Sequence, residues 1–337
     1  MSETRSPSPG TPAEAPRRNS PLTHVPLSAT PLPSLDTSIP PWTGGMEEIE
    51  GLSLHVRRTP GPDDVCAVYV HGLGGSSTNW TDLAAQLAPF ASGVSVDLPG
   101  FGFTEPAKGF EFSLDAQVEV LAEFIGSLDA GPVHLLGNSM GGAIALLLAA
   151  RRPDLVRTLT LISPAMPDLR PDPRRLSDPR MALAYLPFIG RHMRRQLARM
   201  GPRERARQVI ELCFADPSAF PARRLDELAE EHSRRDSFGW ATPALSRATL
   251  GIFRTWLGRG PRSLWAAPPK VQAPTLVVWG TADRIITVRR AVRTARLFPR
   301  GRLLVLPRTG HVAQMERPVT VAKAVLGMWE SVEQDRW

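Results

Sequence analysis

Short apolar runs recur along the chain at 65–70 (VCAVYV), 93–96, 133–136, 156–162 and 274–279, each closed by turn residues. Uninterrupted runs of this length suit parallel strands covered on both faces. The stretch 49–58 alternates apolar and polar positions instead, which predicts an edge strand, and 302–306 predicts a last strand. Helical periods fall between these runs, at 79–87, 112–128 and 316–332, and a longer apolar helix follows 136 directly. Alternation of strand and helix places the chain in the α/β class.

Two segments depart from that rhythm. Residues 1–45 are dense in Pro, Ser and Thr without periodic apolar positions, which predicts a disordered tail. From 164 to 272 the pattern becomes helical. A loop-like opening is followed by helical periods at about 181–199, 203–214, 222–235 and 243–257, with Pro202 suited to a first helical turn. The organisation expected is therefore a core of 46–163 and 273–337, interrupted by a helical insertion at 164–272. The insertion's large apolar residues include Tyr185, Leu186, Phe188, Phe238, Trp240, Phe253, Trp256 and Trp265. Most read as the insertion's own core, since helical stripes usually are, and its arginines read as a solvated face.

Composition narrows the function classes. The 337 residues carry a formal net charge of +7, but the cations are nearly all arginine, the lysines being Lys108, Lys270 and Lys323. No basic run is interleaved with aromatics, so no nucleic-acid surface is expected. Cys66 and Cys213 make no disulfide framework, and Cys66 in an apolar run reads as a buried thiol of a reducing compartment. The pair Arg17-Arg18 precedes a segment broken by prolines, not an apolar signal core. No stretch approaches the roughly 20 apolar residues of a membrane span. A cytoplasmic protein without an integral membrane segment is expected. Histidines and carboxylates show no metal-ligand spacing, so neither metal nor cofactor is expected. Oligomeric state is not readable.

The chemistry-bearing stretch is 133–148, VHLLGNSMGGAIALLL. It reads as strand, sharp turn and helix with Ser139 at the apex. Such a turn strains the serine backbone, and a side chain at Gly137 or Gly141 would collide with neighbouring backbone. The turn lifts the hydroxyl clear of the sheet and aims the Met140 amide at charge developing on a substrate oxygen. A second glycine-rich loop, His71-Gly72-Leu73-Gly74-Gly75, follows the strand at 65–70. It lacks both a dinucleotide fingerprint and a Walker lysine. The Leu73 amide, ahead of that of Gly74, is the candidate second oxyanion donor, and His71 reads as a support for the loop. Asp97, in the loop DLPGFGFT, is given a structural role.

Taken together, the HGLGG loop, the DLPGFGFT loop and the GNSMGG turn, in this order, resemble the α/β-hydrolase superfamily over about 46–332. The resemblance implies a mostly parallel eight-stranded sheet flanked by helices, with an all-helical cap inserted after strand six. It also implies a catalytic site at the carboxyl ends of the strands. Asp283 and His311 each follow a predicted strand on the same edge as Ser139, in the superfamily's order of serine, aspartate, histidine. A serine hydroxyl needs a base within reach, and the base needs a partner for its other nitrogen. Ser139, His311 and Asp283 supply the three. His24, His55, His134, His192 and His232 are read as structural or solvated.

The expected activity is hydrolysis of a carboxylic ester or related acyl bond in a small to medium apolar substrate, through an acyl-enzyme. Hydrolysis of carbon–carbon bonds in β-diketone-like substrates is the alternative, because that branch is similar in loops and cap. A hydrolase-like binding module without turnover is the alternative from another class. Aspartate at the apex marks the dehalogenase and epoxide hydrolase branches, and Ser139 sets this chain apart from them.

Overall fold

The computed structural model describes residues 24–49, 51–169 and 200–337. Eight strands form one sheet: β1 (Gly44–Ile49), β2 (Leu52–Thr59), β3 (Cys66–Val70), β4 (Ser92–Val96), β5 (Val133–Asn138), β6 (Val156–Ile162), β7 (Thr275–Gly280) and β8 (Gly301–Leu306). Their spatial order is β1-β2-β4-β3-β5-β6-β7-β8. Pairing is antiparallel for β1 with β2 and β2 with β4, and parallel from β4 to β8. The stretch 49–58, expected as a single edge strand, belongs instead to an antiparallel pair. Gly51, at φ 86°, takes the left-handed conformation the reversal needs.

Alternation along the buried strands divides the core into two layers. Val68 and Val70 of β3 and Leu135 of β5 face one side, with α2 (Leu114–Ser127) and α3 (Met140–Arg151). Ala67, Tyr69 and Leu136 face the other, with α1 (Thr81–Leu87) and the closing helix (Pro318–Glu333). Every residue of β3, β5 and β7 is buried, which is why these strands read as continuous apolar runs. The chain changes direction across the sheet between β3 and its neighbours β4 and β5. The carboxyl ends of β3 and β5 therefore open side by side, where open α/β sheets place their sites.

Between β6 and β7 lie three described helices, α4 (Pro202–Cys213), α5 (Ala222–Arg235) and α6 (Ala241–Trp256), and Pro202 opens the first of them. The period expected at 181–199 and the residues Tyr185, Leu186 and Phe188 lie outside the described residues. Trp256 is buried and donates its indole N–H to the Ala165 carbonyl at 2.8 Å, whereas Phe253 is exposed. The cap's arginines do not all lie on a solvated face. Arg224 is buried and pairs with Asp82 of α1 at 2.6 Å, and Arg235 also turns inward. A core acceptor draws each in, the Asp82 carboxylate for Arg224 and the Gly74 carbonyl for Arg235. Beyond β7, α7 (Ala291–Arg296), α8 (Ala313–Glu316) and α9 (Pro318–Glu333) complete the chain.

The tail expected to be disordered up to residue 45 is held against the core from residue 24 onward. Ser28 donates its amide to the Lys323 carbonyl at 2.9 Å, and the hydroxyls of Ser28 and Thr30 both donate to Glu330, at 2.6 and 2.9 Å. Val25 is buried, and Leu32 and Trp42 pack on the α9 side of the sheet. Isolated anchors separated by prolines carry no periodic signal, so the sequence pattern missed this strap.

Candidate functional site

β5 delivers the chain to Ser139, whose backbone sits at φ 53° and ψ −116°. That is the first central position of a type II′ turn, where glycine is usual, so the serine is strained. The turn is pinned by the Ser139 amide donating to the Ile162 carbonyl at 3.0 Å. It is pinned also by the Ser139 carbonyl, which accepts from Ala143 and Ala165 at 3.0 and 2.8 Å. A Cβ on Gly137 would press into the Gly141 carbonyl, and one on Gly141 into the carbonyls of Val70 and His71. Met140 is the first residue of α3, where amides have no carbonyl of their own helix to bond.

Asp283 follows β7 and His311 follows β8, and the structure brings these two side chains together. His311 Nδ1 lies 2.9 Å from Asp283 Oδ2, both side chains being almost fully buried. The other carboxylate oxygen accepts from the amides of Ile285 and Ile286, at 2.8 and 3.0 Å. A carboxylate only accepts, so Nδ1 carries the proton and Nε2 of the neutral ring keeps its lone pair. The main chain of His311 is held as well. Its amide donates to the Cys213 carbonyl at 2.7 Å, and the preceding Gly310 amide donates to Glu316 at 2.6 Å.

No hydrogen bond joins Ser139 Oγ to His311 among the described residues; the two segments are joined through the side chain of Asn138. Its amide nitrogen donates to the carbonyls of Ile162 and His311, at 3.0 and 3.1 Å. Asn138 and Glu316 were not singled out by sequence. The asparagine lies inside the motif but carries no signal that its side chain reaches a loop so distant in the chain.

The glycine loop after β3 lies against this turn. A Cβ on Gly72 would come 3.1 Å from that of Ser139. His71, fully buried, accepts from the Leu98 amide at Nε2 (3.0 Å) and faces the Gly72 carbonyl at Nδ1 (2.8 Å). The ring is therefore neutral, with its proton on Nδ1. Burial holds its pKa below the usual imidazole value, against the pull of Asp97. Gly75 also donates to the Gly72 carbonyl, at 3.0 Å. Since a trans peptide sets C=O and N–H on opposite sides, these two bonds turn the Leu73 amide away from His71.

Asp97, fully buried, accepts from His55 Nδ1 at 2.7 Å and from the amides of Ser77 and Phe103 at 2.5 and 3.0 Å. Burial works to raise its pKa, but the His55 bond and the Ser77 amide act against it, and the carboxyl stays below its ordinary range. Its contacts tie loops together and include none with His311 or Ser139.

The residues 68–318 match the family model for the alpha/beta hydrolase fold. The chain belongs to the α/β-hydrolase family. Among curated relatives, it is 30% identical over 288 residues to the dihydrolipoyllysine-residue acetyltransferase component of the acetoin cleaving system of Pseudomonas putida, covering 83% of this chain and 67% of that protein. It is 26% identical over 272 residues to human monoacylglycerol lipase ABHD6, covering 79% and 75%. It is 27% identical over 254 residues to 2-hydroxy-6-oxo-2,4-heptadienoate hydrolase of Pseudomonas putida, covering 74% and 83%. Among the described residues, no helix of this α/β-hydrolase is long and apolar enough to cross a membrane, and no three His, Cys, Asp or Glu side chains gather as a metal set.

Proposed function

We propose that the chain is a serine hydrolase of carboxylic esters, with Ser139 as nucleophile, His311 as base and Asp283 as the partner of His311. The observation that carries this reading is the Asp283–His311 pair, which leaves Nε2 as acceptor, on a loop joined by Asn138 to the strained Ser139 turn. Hydrogen bonds between such groups often close only with substrate present, so the open Ser139–His311 link is compatible with it.

In this mechanism His311 Nε2 takes the Ser139 hydroxyl proton as Oγ attacks the ester carbonyl, and Asp283 stabilises the imidazolium. The amides of Met140 and Leu73 receive the oxyanion. Collapse of the tetrahedral species expels the alkoxide, which takes the proton back from Nε2. Water, deprotonated by His311, then attacks the acyl-enzyme and releases the acid. Leu73 is preferred to Gly74 because the bonds to the Gly72 carbonyl fix the orientation of the Leu73 amide. The monoacylglycerol lipase relative supports an apolar acyl ester as substrate class. The free state of Cys66 and Cys213 is compatible with the cytoplasm.

The heptadienoate hydrolase relative supports a second reading, cleavage of a carbon–carbon bond beside a carbonyl by the same residues. Intact-mass analysis after a fluorophosphonate probe, then turnover of p-nitrophenyl esters of increasing chain length, tests both. One adduct that is lost in Ser139→Ala, with turnover peaking at one chain length, is the expected result. An adduct without ester turnover moves the assignment to the carbon–carbon reaction. Folded protein that takes no adduct refutes the serine mechanism and leaves the binding-module alternative.

A further inference from the structure

One face of α5 carries Arg224, Glu227, Glu231 and Arg235, spaced by three and four residues, and it is this face that meets the core. Glu231 is 6% exposed. One of its carboxylate oxygens accepts from both the Ser76 and Thr78 hydroxyls at 2.9 Å. Arg235 lies 3.4 Å from the other oxygen and donates to the Gly74 carbonyl at 3.2 Å. One turn or more along the helix, Arg224 bridges Glu227 and Asp82 at 2.7 and 2.6 Å.

The Glu231 and Arg235 contacts fall on the loop that holds Leu73. On one side of Leu73 the Gly72 carbonyl is fixed from the core, by His71 and the Gly75 amide. On the other side the Gly74 carbonyl is fixed from the cap, by Arg235. The amide of Ser77 is bound by core Asp97, whereas the hydroxyls of Ser76 and Thr78 are bound by cap Glu231. Gly74 sits at φ 74°, a conformation glycine adopts without strain; the Gly75-to-Gly72 bond closes the turn over it from the core, and the Arg235 bond adds a hold on its carbonyl from the cap.

We propose that Glu231 and Arg235 are positioning residues that hold the loop bearing the second oxyanion donor, so that transition-state stabilisation requires a seated cap. This rests on the serine hydrolase reading for its catalytic consequence, but the ordering of the loop is a separate property. A buried carboxylate carrying two hydroxyl bonds is costly to leave unpaired, which makes α5 a fixed brace and not a swinging lid.

The test compares Glu231→Gln, Arg235→Met and Arg235→Lys in the full chain. A reciprocal variant, Ser76→Ala with Thr78→Val, removes the two hydroxyl bonds to Glu231 without touching the helix. Arg223→Met, on the exposed face of α5, is the control. Loss of one oxyanion donor lowers kcat by about 10² to 10³. A displaced donor is expected to cost about tenfold or more in kcat, with KM within about twofold, partial recovery in Arg235→Lys and no change in Arg223→Met. Hydrogen exchange of the peptide spanning 72–80 should quicken, while that of the peptide containing His311 stays as in the natural protein. A rise in KM at constant kcat, or unchanged exchange in the loop, overturns the proposal. Absence of a fluorophosphonate adduct on the natural protein refutes the hydrolase reading, and loop exchange then decides positioning alone.

Discussion

Asn138 donates to the main-chain carbonyl of His311 across 173 positions of chain, at 3.1 Å. The same side-chain nitrogen bonds the Ile162 carbonyl, so one amide group ties β5, β6 and the histidine loop. Asn138→Ala leaves two buried carbonyls without this donor, which costs about 1 to 3 kcal/mol. Asn138→Asp is expected to be worse, since a carboxylate oxygen would face both carbonyls. Ester turnover should fall about tenfold in the alanine variant and further in the aspartate variant, because small displacements of a base are amplified in rate. Urea unfolding with steady-state kinetics checks this. An Asn138→Asp variant as stable and active as the natural protein would show the link to be incidental.

The backbone of Ser139 implies that the site stores strain. At φ 53° and ψ −116° a residue with a Cβ is held where glycine rests comfortably. Ser139→Gly should therefore abolish turnover and raise stability by about 1 kcal/mol, within the 1 to 3 kcal/mol range of such strain. Ser139→Ala, which keeps the Cβ, should abolish turnover without that gain. Paired denaturant curves distinguish the two, and equal stability of both variants would argue against strain at this position.

Much of this arrangement was legible because its strongest signals are local. The runs at 65–70 and 133–136 are buried on both faces of the sheet, and glycines flank Ser139 because carbonyls crowd both positions. Elements tied by long-range polar contacts were not legible. The edge alternation ran on through Gly51 and hid a reversal, and the strap at 24–43 has anchors too sparse to show a period. Arg224 and Arg235 look like any exposed cap arginine until Asp82 and the Gly74 carbonyl are placed beside them. The roles of Asn138 and Glu316 depend on carbonyls and amides that only the folded chain brings near.

Buried histidines should weaken the fold as pH falls below neutrality. His134 stacks on Trp329 with ring centroids 4.1 Å apart, its Nδ1 lies 2.7 Å from the Thr158 hydroxyl, and burial lowers its pKa to about 3. In the unfolded chain the value returns to 6.5. Below pH 6.5 the unfolded state takes up a proton that the folded state refuses, so this contribution is present above pH 6.5 and is lost as pH falls toward 3. Burial acts in the same direction on His71 and on His232, whose pKa is lowered to about 4. Stability should fall from pH 7 to pH 4, and His134→Gln should reduce that slope by about one proton. Urea midpoints measured across the range give the slope directly, and an unchanged slope in the variant would remove His134 from the account.

The strap at 24–43 should act on stability and not on chemistry. Most of its polar contacts fall on α9, where Glu330 accepts from Ser28 and Thr30 and the Pro26 carbonyl lies close over Gly327, leaving no room for a side chain; Arg302 of β8 and Arg57 of β2 also donate to the His24 and Trp42 carbonyls. Among the described residues, none of these groups bonds to Ser139 or His311. Burial of Val25 and the two hydroxyl bonds together suggest about 2 to 4 kcal/mol. A chain beginning at Gly44 is therefore expected to unfold at lower urea than one beginning at His24, with the same ester turnover while folded. Gly327→Ala should reproduce part of the loss by displacing Pro26. If both changes leave the unfolding midpoint where it was, the strap contributes no stability. If turnover falls while the midpoint holds, the strap acts on the site by a route other than α9.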